Sequence, residues 1–309
     1  MNQGHIQLSS PAYELGENET DHSDLPGLLE QAERLGMPPR AELWGWGKVH
    51  RTELPLEELA ARCGRAVLAG SGTDPADVDA LVLCCTGFPG DAETHGGFVQ
   101  AVLAGLGTKN HDVVGVTLNR CTNLLAGLVV ARSLVAGGSH RRVLVLTVDR
   151  VTDEARRMTG FALFSDGAAG CLVTDGAGEY TLVDTATAHD TSRMDWSEEI
   201  SSELSRRVND TLLTPRGMKP SDIDGVLHTN VFKPVVTMKE LQAGFKPAQL
   251  SLDNIERVGH CFAADPLINL VDRNREGRVR HGRHYLLAAS VPGSRVGVLL
   301  QRTPAESGH

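Results

Sequence analysis

A short string in the first half of the chain returns in the second, and this return narrows the folds open to it more than any other feature. Gly72-Thr73-Asp74-Pro75-Ala76-Asp77-Val78-Asp79-Ala80-Leu81-Val82 recurs as Gly217-Met218-Lys219-Pro220-Ser221-Asp222-Ile223-Asp224-Gly225-Val226-Leu227. Both copies keep Gly, Pro, Asp, a β-branched residue, a second Asp and an apolar strand start, in that order. Each follows an amphipathic helix pattern, Leu56 to Leu68 in one half and Trp196 to Leu213 in the other. A helix-to-strand turn repeated at long range predicts two similarly folded halves, here 1–175 and 176–309. Chance likeness between two short turns is the competing explanation.

From each copy the pattern continues in the same rhythm. The first half reads strand (Ala80–Cys85), helix (Thr94–Leu106), strand (Val113–Leu118), then a helix opening near Cys121. The second reads strand (Gly225–His228), helix (Pro234–Ala243), a strand-like Ile255-Glu256-Arg257-Val258, then a helix over Ala263–Asn274. Such alternation implies an α/β unit with largely parallel sheets covered on their faces. If the halves pack about a pseudo-twofold axis, the repeat interval carries Cys121 onto the turn after His260. The two side chains would then meet in the middle of the molecule.

Cys121 follows a β-branched apolar run, Val113 to Leu118, and opens a long apolar helix pattern that Gly137-Gly138 stops. At a helix start, free N–H groups and the macrodipole favour a thiolate; a buried structural cysteine is the plainer alternative. A thiolate needs a base or cation nearby, and an imidazole needs a partner to fix its tautomer. His228 ends a predicted strand, and His260 stands in Gly259-His260-Cys261-Phe262-Ala263-Ala264-Asp265-Pro266. Asp265 could orient His260, or simply cap the next helix with Pro266 at its first position. Cys121, His260, Asp265 and His228 are the candidate catalytic residues.

Composition excludes several classes. A net charge of −9 argues against nucleic-acid or anionic-membrane binding, both of which need clustered basic surface. The six cysteines have no metal-ligand spacing, and three lie within apolar element patterns, so a reduced cytoplasmic protein is expected rather than a disulfide framework. Met1-Asn2-Gln3-Gly4-His5 has no signal-peptide character, and no apolar run approaches spanning length. Phosphate-loop, dinucleotide and zinc-protease motifs are missing, so no metal and no permanently bound cofactor is expected.

Taken in order, several pieces resemble the thiolase-fold ketosynthases of the ketoacyl-ACP synthase III type, over nearly the whole chain. They are His50-Arg51-Thr52, Cys121 opening the central helix, Val143-Leu144-Val145-Leu146, Leu163-Phe164-Ser165-Asp166-Gly167-Ala168-Ala169-Gly170, His228, and Gly259-His260. The resemblance implies a layered αβαβα unit, an acyl thioester carried on Cys121, and an acyl-CoA or acyl-ACP donor. It also implies a homodimer. In that family a His and an Asn flank the thiol and stabilise the enolate formed by decarboxylation. Here the Gly-Asn turn is Gly259-His260, and the His-Gln-Ala-Asn string is His228-Thr229-Asn230-Val231.

A Cys-His-Asp set has nucleophile, base and orienting carboxylate. It points to the branch that transfers acyl groups to a hydroxyl or amine of a small-molecule, natural-product acceptor, with decarboxylative condensation as the alternative. The backbone N–H groups of Cys121 and of Gly293, in the loop Ala289–Gly297, are the candidate oxyanion hole. Trp44, Arg51 and Arg156 fall where the family holds its CoA, and Phe88 where it shapes the acyl pocket. Trp46 and Arg157 share those regions.

Overall fold

The structure is a computed structural model that describes residues 6–91, 93–108, 111–194 and 201–304. The first half contains β1 (Gln7–Leu15), β2 (Asn18–Asp21), α1 (Leu28–Arg34), α2 (Ala41–Trp44), β3 (Lys48–Arg51), α3 (Leu56–Ser71), β4 (Ala80–Cys84), α4 (His95–Leu106), β5 (Asp112–Val116), α5 (Asn123–Ala136), β6 (Arg142–Asp149) and β7 (Gly167–Thr174). The second contains β8 (Tyr180–His189), α6 (Ser202–Leu213), β9 (Ile223–His228), α7 (Lys233–Gln242), α8 (Asp253–Arg257), α9 (Asp265–Arg275), β10 (His284–Val291) and β11 (Ser294–Arg302). The start of the second amphipathic helix at Trp196 lies outside the described residues.

Among the described residues one nine-stranded sheet runs β5-β4-β6-β7-β1-β8-β11-β10-β9. Its two wings have the same pairing logic. In the first, β4 and β6 are parallel while β7 is antiparallel to both β6 and β1. In the second, β9 and β10 are parallel while β11 is antiparallel to both β10 and β8. The repeated Gly-Pro-Asp turns make this possible: Gly72 and Gly217 end their helices in the left-handed region, and a single 3-10 turn over Pro75–Asp77 or Pro220–Asp222 feeds β4 or β9. We propose 1–175 and 176–309 as the two units of this duplication.

Helices fill the layers by apolar spacing. The α3 face Leu56, Leu59, Ala60, Cys63 and Val67 is buried against β4, β6 and β7 on one side of the first wing. The α6 face Leu204, Val208 and Leu212 does the same for the second. Between the wings lie α5 and α9. Leu124, Leu125 and Leu128 share one buried cluster with Val82 and Val145 of the first wing, Leu287 and Val298 of the second, and Leu267 and Leu270 of α9. That is the expected αβαβα layering.

Two expectations need correction. Ile255–Val258 is not a strand: the backbone bonds Ile255 to Leu252 and Val258 to Asn254, and α8 buries Ile255 and leads to a buried Val258. Apolar residues three apart fit one helical face as well as a short strand, so a four-residue run cannot decide between them. The β5 position of the second wing is reduced to a single parallel bridge, Val226 with Leu250. Cys121 also precedes the α-helix instead of lying in its first turn; it occupies a 3-10 turn, Arg120–Thr122, that runs into α5.

The Phe-Ser-Asp-Gly string joins the two units. Ser165 Oγ accepts the His50 N–H at 2.9 Å and donates to the Val258 carbonyl at 2.5 Å. The Ser165 N–H donates to the His260 carbonyl, and the His260 N–H to the Leu163 carbonyl, both at 2.9 Å. Asp166 accepts the Thr52 and Val151 N–H groups and pairs with buried Arg157. Removing the Ser165 hydroxyl leaves buried backbone groups unpaired, so Ser165→Ala should destabilise the protein by about 1–3 kcal/mol. Ser139→Ala, on the surface, should leave it unchanged. Urea unfolding of both variants checks this, and equal midpoints would deny Ser165 its bridging role.

Candidate active site

The nucleophile position is made by a strained turn. Arg120, immediately before Cys121, has φ 54°, in the left-handed region that non-glycine residues seldom adopt. Phe262 has φ 51° at the matching point of the second unit, as the first residue of the 3-10 turn that leads into α9. The two turns pack against each other where the wings meet. Cys121 and His260 are thereby brought face to face.

His260 Nε2 lies 3.3 Å from Cys121 Sγ, and Nδ1 lies 2.5 Å from Asp265 Oδ2. All three side chains are buried, Cys121 being 3% exposed. Asp265 Oδ2 also accepts the Asn230 N–H at 2.6 Å, and Oδ1 accepts the Cys261 N–H at 2.7 Å. Asp265 is thus the first residue of α9, with its carboxylate turned back to the turn that carries His260. Gly259 permits that turn: its φ is 73°, and a Cβ there would meet the Leu163 carbonyl oxygen at 2.9 Å. Phe164 packs on the imidazole with ring centroids 4.6 Å apart, and Phe161 at 6.4 Å.

Burial opposes charge on His260, but the Asp265 carboxylate and the Cys121 sulfur outweigh it, and its pKa is raised to about 10. His228 is the reverse case. Burial lowers its pKa to about 4 and keeps the ring neutral; Nδ1 donates to the Thr229 carbonyl at 2.8 Å, while Nε2 has no partner among the described residues. Burial also pushes up the thiols of Cys63, Cys84, Cys85, Cys171 and Cys261. None of these is placed against an imidazole in the manner of Cys121.

A pocket of about 390 Å³ opens beside Cys121, lined among others by Leu56, Cys85, Asp149, Arg156, Phe161 and Phe262. Arg156 is exposed at its rim. Arg51 instead pairs with Glu154 and lines a neighbouring pocket of about 410 Å³ with Arg34 and Arg157. Trp44 donates its indole N–H to the Pro38 carbonyl and packs on Phe232; Trp46 is buried. Phe88 packs against His95 and Phe98. Gly293 forms the β10–β11 hairpin turn at φ 72°, its carbonyl bonded by Asp190, and Pro292 gives its carbonyl to Arg120. Asn230, Phe161, Phe164 and Asp149 reach the site without having been singled out as site residues. The signal for Phe164 was its place in the Phe-Ser-Asp-Gly string; Asp149 is marked only by ending a strand.

Among the described residues no cluster of His, Cys, Asp and Glu could hold a metal ion, and no helix is long and apolar enough to cross a membrane.

Comparison with known proteins agrees with this fold. The family model for 3-oxoacyl-[acyl-carrier-protein (ACP)] synthase III matches residues 117–191, and that for its C-terminal part matches residues 213–303. The β-ketoacyl-[acyl-carrier-protein] synthase III of Solibacter usitatus is 26% identical over 290 residues, covering 81% of this chain and 85% of that protein. The 3-oxoacyl-[acyl-carrier-protein] synthase III of Aquifex aeolicus superposes with a TM-score of 0.80 at 18% identity, covering 96% of this chain and 99% of the other. ChlB3, described as an acyltransferase, gives 0.81 at 16% identity, covering 97% and 98%. The chain therefore belongs to the 3-oxoacyl-[acyl-carrier-protein] synthase III family, with the thiolase fold, and is an enzyme of that transferase and condensing class. Enzymes of this family use acyl-CoA or acyl-ACP substrates without a permanent cofactor.

The raised His260 pKa sets a pH-dependence. A group whose folded pKa exceeds its unfolded value of about 6.5 contributes stability that is complete below that value and is lost as pH rises through the folded value. Asp265→Asn removes the neighbouring carboxylate, so its stability deficit should be largest near pH 6 and shrink steadily toward pH 10. Urea unfolding across that range reads it. A deficit that grows with pH would contradict a charged His260 held by Asp265.

Proposed function

We propose that this enzyme transfers an acyl group from acyl-CoA or acyl-ACP, through a thioester on Cys121, to a hydroxyl or amine of a small-molecule acceptor. The observation that carries the reading is His260, bonded through Nε2 to Cys121 and through Nδ1 to Asp265. A condensing site needs two hydrogen-bond donors for an enolate. A relay of sulfur, imidazole and carboxylate is suited to removing a proton from an acceptor.

In the first half-reaction the Cys121 sulfur attacks the donor carbonyl. The bond to the donor sulfur breaks, and that sulfur leaves with the proton of His260 Nε2. In the second, the acceptor hydroxyl or amine gives its proton to His260 Nε2 as its oxygen or nitrogen attacks the acyl carbonyl. The C–S bond to Cys121 breaks and the thiolate returns beside an imidazolium. Asp265, fixed by two backbone N–H groups, keeps Nδ1 protonated so that Nε2 faces sulfur in both steps. The Cys121 and Gly293 N–H groups are proposed for the tetrahedral oxyanion. Arg156 at the pocket rim is the better-placed cation for a donor phosphate, and Arg51, Trp44 and Phe88 complete the proposed binding set. The natural-product acceptor, cytoplasmic setting and homodimer belong to the same reading; light scattering at twice the chain mass would support the last.

Decarboxylative condensation is the alternative, and His228 speaks against it: with its neutral ring donating from Nδ1 to the Thr229 carbonyl, Nε2 is an acceptor and offers an enolate no proton.

Intact-protein mass spectrometry after incubation with acetyl-CoA, butyryl-CoA or malonyl-CoA separates the readings. Transfer predicts an adduct that is absent in Cys121→Ala and a malonyl adduct that keeps its carboxylate. Carbon dioxide release with a new carbon–carbon bond would replace it with condensation. Asp265→Asn should slow transfer from acyl-Cys121 to an acceptor about tenfold or more, while self-acylation falls less. Equal loss in both steps would remove the proposed orienting role.

A further inference from the structure

The pocket beside Cys121 contains a carboxylate that the transfer chemistry leaves unused. Asp149 ends β6, is 4% exposed and lines the pocket together with Cys121. Its Oδ1 serves the fold. That oxygen accepts the Thr86 N–H at 2.6 Å and the Cys85 thiol at 3.5 Å, tying the end of β4 to the end of β6. Its Oδ2 serves nothing comparable: it is buried and has no hydrogen-bond partner among the described residues. The Thr86 hydroxyl lies near enough to pull weakly on the carboxylate, yet Thr86 Oγ1 too lacks a partner of hydrogen-bonding geometry.

A buried carboxylate oxygen without a partner is costly, and such atoms usually meet water or a ligand. The cost is visible in the carboxyl itself, whose pKa burial pushes up to about 7 despite the hydrogen bond from the Thr86 N–H. Position indicates which ligand group would meet it. Gly87, Arg150, Thr152, Asp153 and Arg156 are the exposed residues of the lining, whereas Cys85, Cys121 and Asp149 are buried. On the acyl-Cys121 reading the acyl group is held on that sulfur, in the same pocket that Asp149 lines. Aliphatic walls alone would suit a plain alkyl chain. An ionised carboxylate oxygen among the buried lining residues does not.

We propose that Asp149 is a specificity-determining residue whose free carboxylate oxygen selects acyl groups bearing a hydrogen-bond donor close to the thioester, a hydroxyacyl group in the first instance. This rests on the acyl-Cys121 reading. The hydroxyl donates to Oδ2, while a keto oxygen at the same place would set acceptor against acceptor, and an unsubstituted chain would leave Oδ2 unpaired.

The test compares rates of adduct formation on Cys121 by intact-protein mass spectrometry with 3-hydroxybutyryl-CoA, 3-oxobutyryl-CoA and butyryl-CoA. It is run at pH 8.5, where the Asp149 carboxyl is ionised. The unaltered protein should take the hydroxyacyl group roughly tenfold to a hundredfold faster than either other group, the range for a hydrogen bond to a charged acceptor. Asp149→Asn retains an oxygen for the Thr86 N–H and turns an N–H toward the pocket. That N–H can donate to hydroxyl and keto oxygen alike, so the variant should lose the discrimination between them. Equal rates with the three donors in the unaltered protein, or an Asn variant that discriminates as before, would overturn the subsite while leaving the acyl-enzyme intact. Failure to acylate Cys121 with any of the three would overturn the acyl-enzyme reading, and the subsite with it.

Discussion

At the centre of the molecule one carboxylate accepts three N–H groups drawn from two separate stretches of the second half. Asp265 holds Asn230 after β9, Cys261 in the turn, and the His260 ring. A buried carboxylate with fewer partners would be expensive. With these it fixes the end of β9, the turn and the start of α9 together, and that start packs where the strained Cys121 turn arrives from the other unit. The position of His260 over the sulfur follows from this clamp. A neutral residue at 265 would leave two backbone N–H groups and one ring nitrogen without an acceptor.

The second support comes from the first unit. Ser165 and Asp166 bind backbone groups of β3 and of the His260 turn, and Arg157 balances Asp166 beneath them. What reads in the sequence as a family string is, in physical terms, a set of buried hydrogen bonds closing the gap between the two wings. The same closure buries His260 under Phe164 and Phe161. The imidazole is therefore buried, and charge on it depends on the groups at its two nitrogens.

Neighbouring ionisable groups take opposite states for identifiable reasons. His228 and His260 are both buried, yet one is neutral and the other favours its proton, because only His260 has a carboxylate and a sulfur within bonding distance. This separation of roles is what an acyl-transfer relay requires of its base. It also bears on the two functional readings, since a neutral His228 with its proton on Nδ1 offers an enolate no donor whereas a charged His260 suits a thiolate.

The repeated turn, the apolar spacing and the order of short strings were enough to read the thiolase-type layering and the encounter of Cys121 with His260, because burial periodicity and turn chemistry are local properties of the chain. Where structure is not local, sequence pattern misleads or is silent. Ile255–Val258 has four residues and could satisfy either period, and only its neighbours made it α8. The hydrogen bond from the Asn230 N–H to Asp265 and the arrival of Asp149 beside Cys121 join residues far apart in sequence. Such contacts depend on the angle at which the wings close over α5 and α9, and that angle is set by the packing of whole faces rather than by any short string.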